Sequence, residues 1–114
     1  MRILLMVLFL AATTQAGEWQ LLRFRASWCA PCQQQKIIYE QAGIRDILKS
    51  HNVRDRLFDA DQRKDAFQLW EIDRIPVTIL VWVDDENKAK IVRRNDGTLM
   101  SPAVYQSFVR PPRE

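Results

Sequence analysis

Two cysteines separated by two residues lie where a strand-like stretch meets a helix-like one. They belong to the WCAPC segment at 28–32 and are the only cysteines among the 114 residues. The stretch before them, GEWQLLRFRAS at 17–27, is rich in aromatic and aliphatic residues and predicts a strand of about seven residues. Pro31 suits the first turn of a helix, because its missing N–H has no intrahelical partner there. The cysteine pair is therefore predicted to lie between a strand and a helix N-terminus.

This placement predicts redox chemistry for the two sulfurs. The unpaired N–H groups at a helix N-terminus carry partial positive charge, which favours a thiolate and lowers the pKa of a cysteine placed there. Cys29, ahead of the first turn, is predicted to be the more exposed sulfur. Cys32, one turn further on, lies beneath it and can attack a mixed disulfide formed on Cys29. Cys29 and Cys32 are thus the predicted catalytic residues of a two-step thiol–disulfide exchange.

Two other roles for the pair remain as alternatives. A structural disulfide would close so small a loop that it would restrict the unfolded chain little. A zinc site needs four ligands, and the chain supplies two cysteines and one histidine, so carboxylates would have to complete it. We therefore expect no metal and no bound cofactor.

The first 16 residues, MRILLMVLFLAATTQA, follow the pattern of an export signal. Arg2 precedes an apolar run, and Thr14-Gln15-Ala16 places small side chains where a signal peptidase requires them for cleavage before Gly17. The apolar run is too short to span a bilayer of about 30 Å as a helix. We expect a signal peptide at 1–16, one domain at 17–114, and an exported protein, periplasmic or secreted, in an oxidising compartment. An uncleaved anchor or an internal hydrophobic strand is the alternative.

Composition and charge favour one ordinary globular domain without a nucleic-acid partner. The chain is 47% hydrophobic and 27% charged, values close to the globular average that argue against disorder or a fibrous repeat. Its net charge is +3, but basic and acidic residues alternate at 54–65 instead of forming the basic stripe of a nucleic-acid-binding protein. We expect a monomer.

The rest of the chain predicts alternating helices and strands. Apolar residues recur at helical spacing up to residue 50, and Gly43 is expected to kink this helix or break it in two. VTILVWV at 77–83 has the composition of a buried strand. The order β-α-β-α-β-β-α predicts an α/β fold, a mixed four-stranded sheet flanked by helices. The predicted helices are 31–42, 44–50, 62–71 and 102–109, and the predicted strands lie within 17–27, around 57–58, at 77–83 and at 89–93.

Several further side chains are expected to have structural roles. The aromatic residues Phe67, Trp70 and Trp82 are predicted to pack in the core. Asp59 and Asp61 fit a strand end and its following turn better than a metal site. His51, the only histidine of the chain, is predicted to be a solvated loop residue.

These segments, in this order, resemble the thioredoxin superfamily over essentially the whole chain after residue 16. The matching features are the strand leading into WCAPC, the LFDAD segment at 57–61, Arg74-Ile75-Pro76 before the VTILVWV strand, and a hairpin before a terminal helix. The resemblance implies a minimal thioredoxin-like fold that begins directly at the active-site strand.

The same resemblance implies the composition of a substrate groove. It implies a cis peptide bond at Pro76 that faces the cysteine pair, and a backbone at Ile75 that pairs with an extended substrate beside Cys29. Trp28, Ala30, Pro31, Ile75 and Pro76 are accordingly expected to form the active-site groove.

Two arginines depart from the family pattern. Arg23, six residues before Cys29, stands where many relatives carry a buried carboxylate or amide that handles the proton of the resolving thiol. An arginine cannot act as a base at neutral pH; it either stabilises a thiolate at Cys32 or pairs with Asp59 on the neighbouring strand, and we favour the ion pair. Arg25 replaces an aromatic residue of many relatives, and it either adds positive potential near Cys29 or is a solvated strand residue.

The resemblance implies a protein-disulfide oxidoreductase whose partners are protein thiols and disulfides. Pro31 resembles the reducing members of the family, whereas members that form or shuffle disulfides commonly have histidine there, so a reductase is the preferred prediction. It would require an electron donor, membrane-bound or secreted. The alternatives are a disulfide-forming oxidant or isomerase, and a non-catalytic module that holds extended peptides in the same groove.

Overall fold

The computed structural model of the protein describes residues 17–112. The signal peptide predicted at 1–16 lies outside the described residues. No helix within 17–112 is both long and apolar enough to cross a membrane. The strands are β1 (Glu18–Arg25), β2 (Val53–Asp59), β3 (Val77–Val83) and β4 (Ala89–Asp96), and the helices are α1 (Ala30–Gln41), α2 (Ile44–Ser50), α3 (Lys64–Leu69) and α4 (Pro102–Val109).

The four strands form one mixed sheet in the order β2-β1-β3-β4. Strand β1 is parallel to β2 and antiparallel to β3, and β3 is antiparallel to β4. The predicted α/β architecture, a four-stranded sheet flanked by helices, is confirmed. Because β1 has a neighbour on each side, the segment that follows it, with both cysteines, starts from the interior of the sheet.

Hydrophobic clusters cover both faces of the sheet, which explains why β1 and β3 are apolar at successive positions. Side chains of consecutive strand residues point to opposite faces, and Leu21 and Leu22 of β1 belong to different clusters. Residues from α1, α2 and α4 pack against the face that contains Leu21. Residues from α3 pack against the face that contains Leu22. The cysteines thus follow a strand that is held from both faces.

The predicted core aromatics are only half-buried. Phe67 and Trp70 pack against the cluster on the α3 face. Trp82 lies edge-on to Trp19, with ring centroids 5.0 Å apart. These side chains therefore cover the edge of the core, while Phe24, 1% exposed, lies inside it.

The element boundaries differ from the predicted ones at a few places. Gly43 breaks the helix in two, because its φ of 66° is left-handed and does not fit an α-helix. Strand β4 continues three residues beyond the predicted 93, since its pairing with β3 extends to Asp96 opposite Val77. Helix α3 is shorter than predicted, at 64–69. The predicted cap of α4 is confirmed: the Val104 N–H donates to Ser101 Oγ at 3.1 Å.

One buried amide fastens α1 to the loop that follows β4. Gln35 is 7% exposed. It donates from Nε2 to the Leu99 carbonyl at 3.1 Å and accepts the Leu99 N–H at 2.7 Å. The N–H and C=O of Leu99, in a loop outside the sheet, are hydrogen-bonded in this way, so the interaction holds α1 against the loop that follows β4.

Replacing Gln35 by leucine should therefore destabilise the protein. The substitution leaves a buried N–H and a buried C=O of Leu99 unpaired, and we expect the free energy of unfolding to fall by about 2 kcal/mol or more. Urea unfolding measures the change. The matched control is Gln34→Leu, because Gln34 is exposed on the same helix; it should change stability by less than about 0.5 kcal/mol. Equal effects of the two variants would contradict a structural role for Gln35.

Candidate active site

The cysteine pair lies at the N-terminus of α1. Cys29 is the N-cap residue, with extended backbone angles, and the Cys32 N–H donates to its Sγ at 3.2 Å. The two cysteines are joined by a disulfide, with their Cα atoms 5.2 Å apart. The first turn of α1 contains no acidic residue, so no carboxylate there offsets the positive helix terminus.

Cys29 is the more exposed of the two cysteines, as predicted. Cys29 is 6% exposed and Cys32 is 2% exposed. Both are largely covered in the disulfide form, because Ala26, Ala60 and Ile75 pack around the pair. Access to Cys29 therefore depends on the fit of a partner to the surface around it.

Ile75 and Pro76 lie beside the pair. The peptide bond between them is cis, as the resemblance implied. The carbonyl oxygen of Ile75 lies 3.9 Å from Cys29 Sγ. The structure thus brings together the two segments, WCAPC and Ile75-Pro76, that are 43 or more residues apart in sequence.

Trp28 forms an exposed surface next to the cysteines. Its side chain is 68% exposed, and its indole N–H donates to Asp61 Oδ2 at 3.1 Å. The Asp61 N–H in turn donates to Asp59 Oδ1 at 2.8 Å, which agrees with the strand-end and turn roles expected for these aspartates. Ala30 and Pro31 are exposed as well. The loop of the pair therefore presents an apolar, accessible surface to a partner.

Arg23 forms an ion pair, but its predicted partner Asp59 is wrong. Its Nε lies 2.8 Å from Asp55 Oδ1 and its Nη2 2.9 Å from Asp55 Oδ2. The guanidinium also lies over the ring of Tyr39, 4.1 Å from the centroid. Asp55 is chosen because the Tyr39 hydroxyl donates to it at 2.6 Å and holds it in place, whereas the Asp59 carboxylate caps the following turn.

Arg23 stays positively charged in this arrangement. Burial lowers the pKa of its guanidinium, but the hydrogen bonds and charge of Asp55 outweigh that effect and raise it above its ordinary value. Burial and the neighbouring Asp55 raise the pKa of Tyr39 to about 12. At neutral pH neither group releases a proton, so Arg23 cannot act as a base, as expected.

The sequence analysis did not single out Tyr39, Asp55 and Tyr105. Tyr39 follows Cys32 by seven residues, which places it on the same side of α1 two turns later. Asp55 precedes Leu57, the register partner of Arg23, by two residues and so shares its face of the sheet. The seven-residue spacing from Cys32 to Tyr39 can be read in the sequence, whereas the placement of Asp55 beside Arg23 is known only from the register of β1 and β2.

Comparison with known proteins assigns the chain to a family. The family model described as thioredoxin matches residues 8–103. The chain belongs to the thioredoxin family. No curated protein matches the sequence.

Solved structures of thioredoxins share the fold. Trxlp from Edwardsiella tarda is 22% identical, with a TM-score of 0.66 over 92% of this chain and 93% of its own. Trichomonas vaginalis thioredoxin is 23% identical, with a TM-score of 0.60 over 90% of this chain and 88% of its own. Oxidised mitochondrial thioredoxin 3 from Saccharomyces cerevisiae is 17% identical, with a TM-score of 0.56 over 90% and 85%. These similarities show the fold.

The family and the bonded pair together support thiol–disulfide oxidoreductase chemistry. Within residues 17–112 there is no group of three or more His, Cys, Asp or Glu side chains that could hold a metal ion.

The two sulfurs should differ in reactivity once the disulfide is reduced. Cys29 accepts an N–H at the helix N-terminus and is the less buried sulfur. Alkylation should therefore modify Cys29 faster than Cys32, with an apparent pKa below the roughly 8.5 of a free thiol. The pH dependence of the alkylation rate, with peptide mapping of the modified cysteine, measures both.

The paired variants Cys32→Ser and Cys29→Ser provide the control. Cys32→Ser should accumulate mixed disulfides through Cys29 when incubated with a disulfide-containing protein, and Cys29→Ser should not. Equal alkylation rates at both sulfurs, or trapping through Cys32 alone, would contradict the assigned order of attack.

Proposed function

We propose that the protein is a protein-disulfide reductase that acts on cysteines in extended segments of other proteins. The observation that carries this proposal is the position of Cys29 Sγ, which accepts the Cys32 N–H at the helix N-terminus and lies 3.9 Å from the Ile75 carbonyl oxygen. A thiolate formed there is stabilised by the helix, and it lies next to backbone that an extended chain can follow.

The reaction consists of two exchanges. The Cys29 thiolate attacks a substrate disulfide: a bond forms between Cys29 and one substrate sulfur, the substrate's own S–S bond breaks, and the other substrate sulfur leaves as a thiolate that takes up a proton. The Cys32 thiolate then attacks Cys29 Sγ, and the substrate leaves as a second thiolate that takes up a proton. Two electrons pass from the cysteine pair to the substrate, and the pair ends in the bonded form of this structure.

The surface around Cys29 supports a protein substrate over a small one. Trp28 is 68% exposed and Met100 is 65% exposed. The loop that contains Met100 is joined to the Pro76 segment, because the Gly97 N–H donates to the Pro76 carbonyl at 2.8 Å. The exposed side chains of Trp28 and Met100 give a partner protein apolar area to bury.

The loop between the cysteines supports the reducing direction. Pro31 adds neither a charge nor a hydrogen-bond donor, so the loop itself gives the reduced form little extra stability. An oxidant or isomerase is the second candidate, and the observation that favours it is the set of cations near Cys32, namely Arg23, Arg25 and Lys36, which line a cavity with that sulfur. Cations stabilise a thiolate and make the disulfide more oxidising.

We further propose that the reductase acts after export, with electrons supplied by a membrane-bound or secreted dithiol partner. The sequence pattern of residues 1–16 supports export. In an oxidising compartment the pair would otherwise remain in the disulfide form, so a continuous supply of electrons is part of the proposal.

A non-catalytic peptide-binding module is the rival outside the enzymes. It would use the same groove, but peptide binding would be independent of the cysteines. Reduction of insulin by the natural protein and its loss in Cys29→Ser would support the reductase, whereas unchanged peptide binding without any insulin reduction would favour the module.

The reduction potential tests the direction. We expect a value nearer the roughly −270 mV of thioredoxin than the about −120 mV of strongly oxidising relatives. Pro31→His should raise it by tens of millivolts, because the imidazole adds a donor and partial positive charge that stabilise the thiolate. Equilibration with glutathione or a dithiol buffer measures both proteins.

The control is Gln34→His, which adds the same side chain at an exposed position of the same helix but outside the loop. Its potential should change clearly less than that of Pro31→His. A natural potential above about −180 mV, the level of a disulfide isomerase, would show that the cations outweigh the proline and would reassign the protein as an oxidant or isomerase.

A further inference from the structure

A small cavity lies against Cys32 and is lined by hydrogen-bond donors. Its volume is about 20 Å³, which is close to the space that one water molecule needs. Cys32 lines it together with Arg23 and Arg25 of β1, Lys36 of α1 and Tyr105 of α4. No carboxylate lines it. The cavity therefore offers a hydrogen-bonding environment that suits an anion.

Two of these donors are buried without a partner. Among the buried side-chain nitrogen and oxygen atoms of residues 17–112, only Arg25 Nε and Tyr105 Oη have no hydrogen-bond partner. Tyr105 is completely buried. A buried polar group without a partner costs free energy. Both groups belong to residues that line one cavity beside Cys32, where an anionic sulfur would offer them a hydrogen-bond acceptor.

Every charged side chain that lines the cavity beside Cys32 is positive. Strand β1 contributes Arg23 and Arg25, and α1 contributes Lys36. Strands β2 and β3 contribute the neutral side chains of Leu57, Val77 and Thr78. Two carboxylates of β2 lie behind these cations: Asp55 is bound to Arg23 through both oxygens, and Asp59, the register partner of Arg25, accepts the Asp61 N–H of the following turn. The acceptor that the cavity can stabilise is thus the Cys32 sulfur itself once it becomes a thiolate.

We propose that the Tyr105 hydroxyl and the Arg25 guanidinium stabilise the Cys32 thiolate across this cavity, and that Tyr105 is a positioning residue for the resolving step. The inference rests on the proposed thiol–disulfide exchange and names the groups that prepare its second half. The interaction exists in the reduced protein and the mixed disulfide, and it is lost when Cys32 bonds to Cys29.

The proton balance of the step assigns Tyr105 a donor role only. Cys32 gives its proton to solvent and its thiolate forms a bond to Cys29 Sγ, while the bond from Cys29 to the substrate breaks and the leaving substrate thiolate takes up a proton from solvent. Burial raises the pKa of the Tyr105 hydroxyl above its usual value and outweighs the neighbouring Arg23 guanidinium, which lowers it. Tyr105 therefore keeps its own proton at neutral pH and donates a hydrogen bond to the thiolate, directly or through one water.

The test measures the pKa of Cys32 alone. In a Cys29→Ser background the single remaining thiol titrates, and the ultraviolet absorbance of its thiolate gives the pKa without substrate. Adding Tyr105→Phe should raise the pKa of Cys32 by about one unit, a roughly tenfold loss of thiolate at a fixed pH below the pKa. Arg25→Met should raise it as well. With both cysteines present, Tyr105→Phe should make the reduction potential more negative.

The matched control is Tyr39→Phe, which removes a hydroxyl from a tyrosine outside the cavity lining. Its hydroxyl is bonded to Asp55, so the variant should lower thermal stability more than Tyr105→Phe and shift the pKa of Cys32 less. Phenylalanine retains the ring of Tyr105 and removes only an unpartnered hydroxyl, so the Tyr105 variant should fold.

An unchanged Cys32 pKa in folded Tyr105→Phe, or an equal shift in Tyr39→Phe, overturns the role of Tyr105 even if the natural protein reduces insulin. A raised Cys32 pKa in Tyr105→Phe alone supports it. If that shift is found but the natural protein reduces no protein disulfide, the proposed reductase function fails while the interaction across the cavity stands.

Discussion

The hydrogen bond from the Cys32 N–H to Cys29 Sγ, 3.2 Å long, is the interaction on which the rest of the site depends. It exists because β1 ends just before the N-terminus of α1, and because β1 is held by neighbours on both edges and by hydrophobic clusters on both faces. A sulfur held against unpaired N–H groups is stabilised as a thiolate. The rigid interior strand therefore fixes Cys29 Sγ in a defined electrostatic environment at the helix N-terminus.

The two sulfurs have different surroundings, which suit their different roles in the proposed exchange. Cys29 lies beside Ile75 and next to exposed Trp28, where a partner can reach it. Cys32 lies against a small, partly open cavity that Arg23, Arg25, Lys36 and Tyr105 also line. In the proposed exchange, the surroundings of Cys29 favour recognition of a partner. The surroundings of Cys32 favour ionisation of its thiol, which no partner touches. The balance between Pro31 in the loop and the cations behind Cys32 decides how strongly the reduced form is stabilised.

Arg23 brings a positive charge to the cavity of Cys32, and this charge is paired with Asp55. Arg23, Asp55 and Tyr39 form a connected group in which Asp55 accepts from both other side chains. The ion pair is partly buried, and removal of one partner would leave the other charge without compensation. Structural and electrostatic roles thus coincide at Arg23: it is held by Asp55 while it lines the cavity of Cys32.

The sequence alone determined the order of the elements, the mixed sheet and the position of the cysteine pair, because strand composition, helix periodicity, Pro31 and Ser101 act locally. It also indicated a kink or a break at Gly43, since glycine is a poor helix former. The left-handed φ at which the helix ends is seen only in the structure. It could not determine which aspartate pairs with Arg23, because Asp55 and Asp59 lie on the same face of β2 and the choice depends on Tyr39, a residue of α1. Nor could it show that Tyr105, more than 70 residues after Cys32 in sequence, lines the same cavity. Only the tertiary structure decided these contacts, because they arise where α1, α4 and β1 pack together and no local pattern encodes that packing.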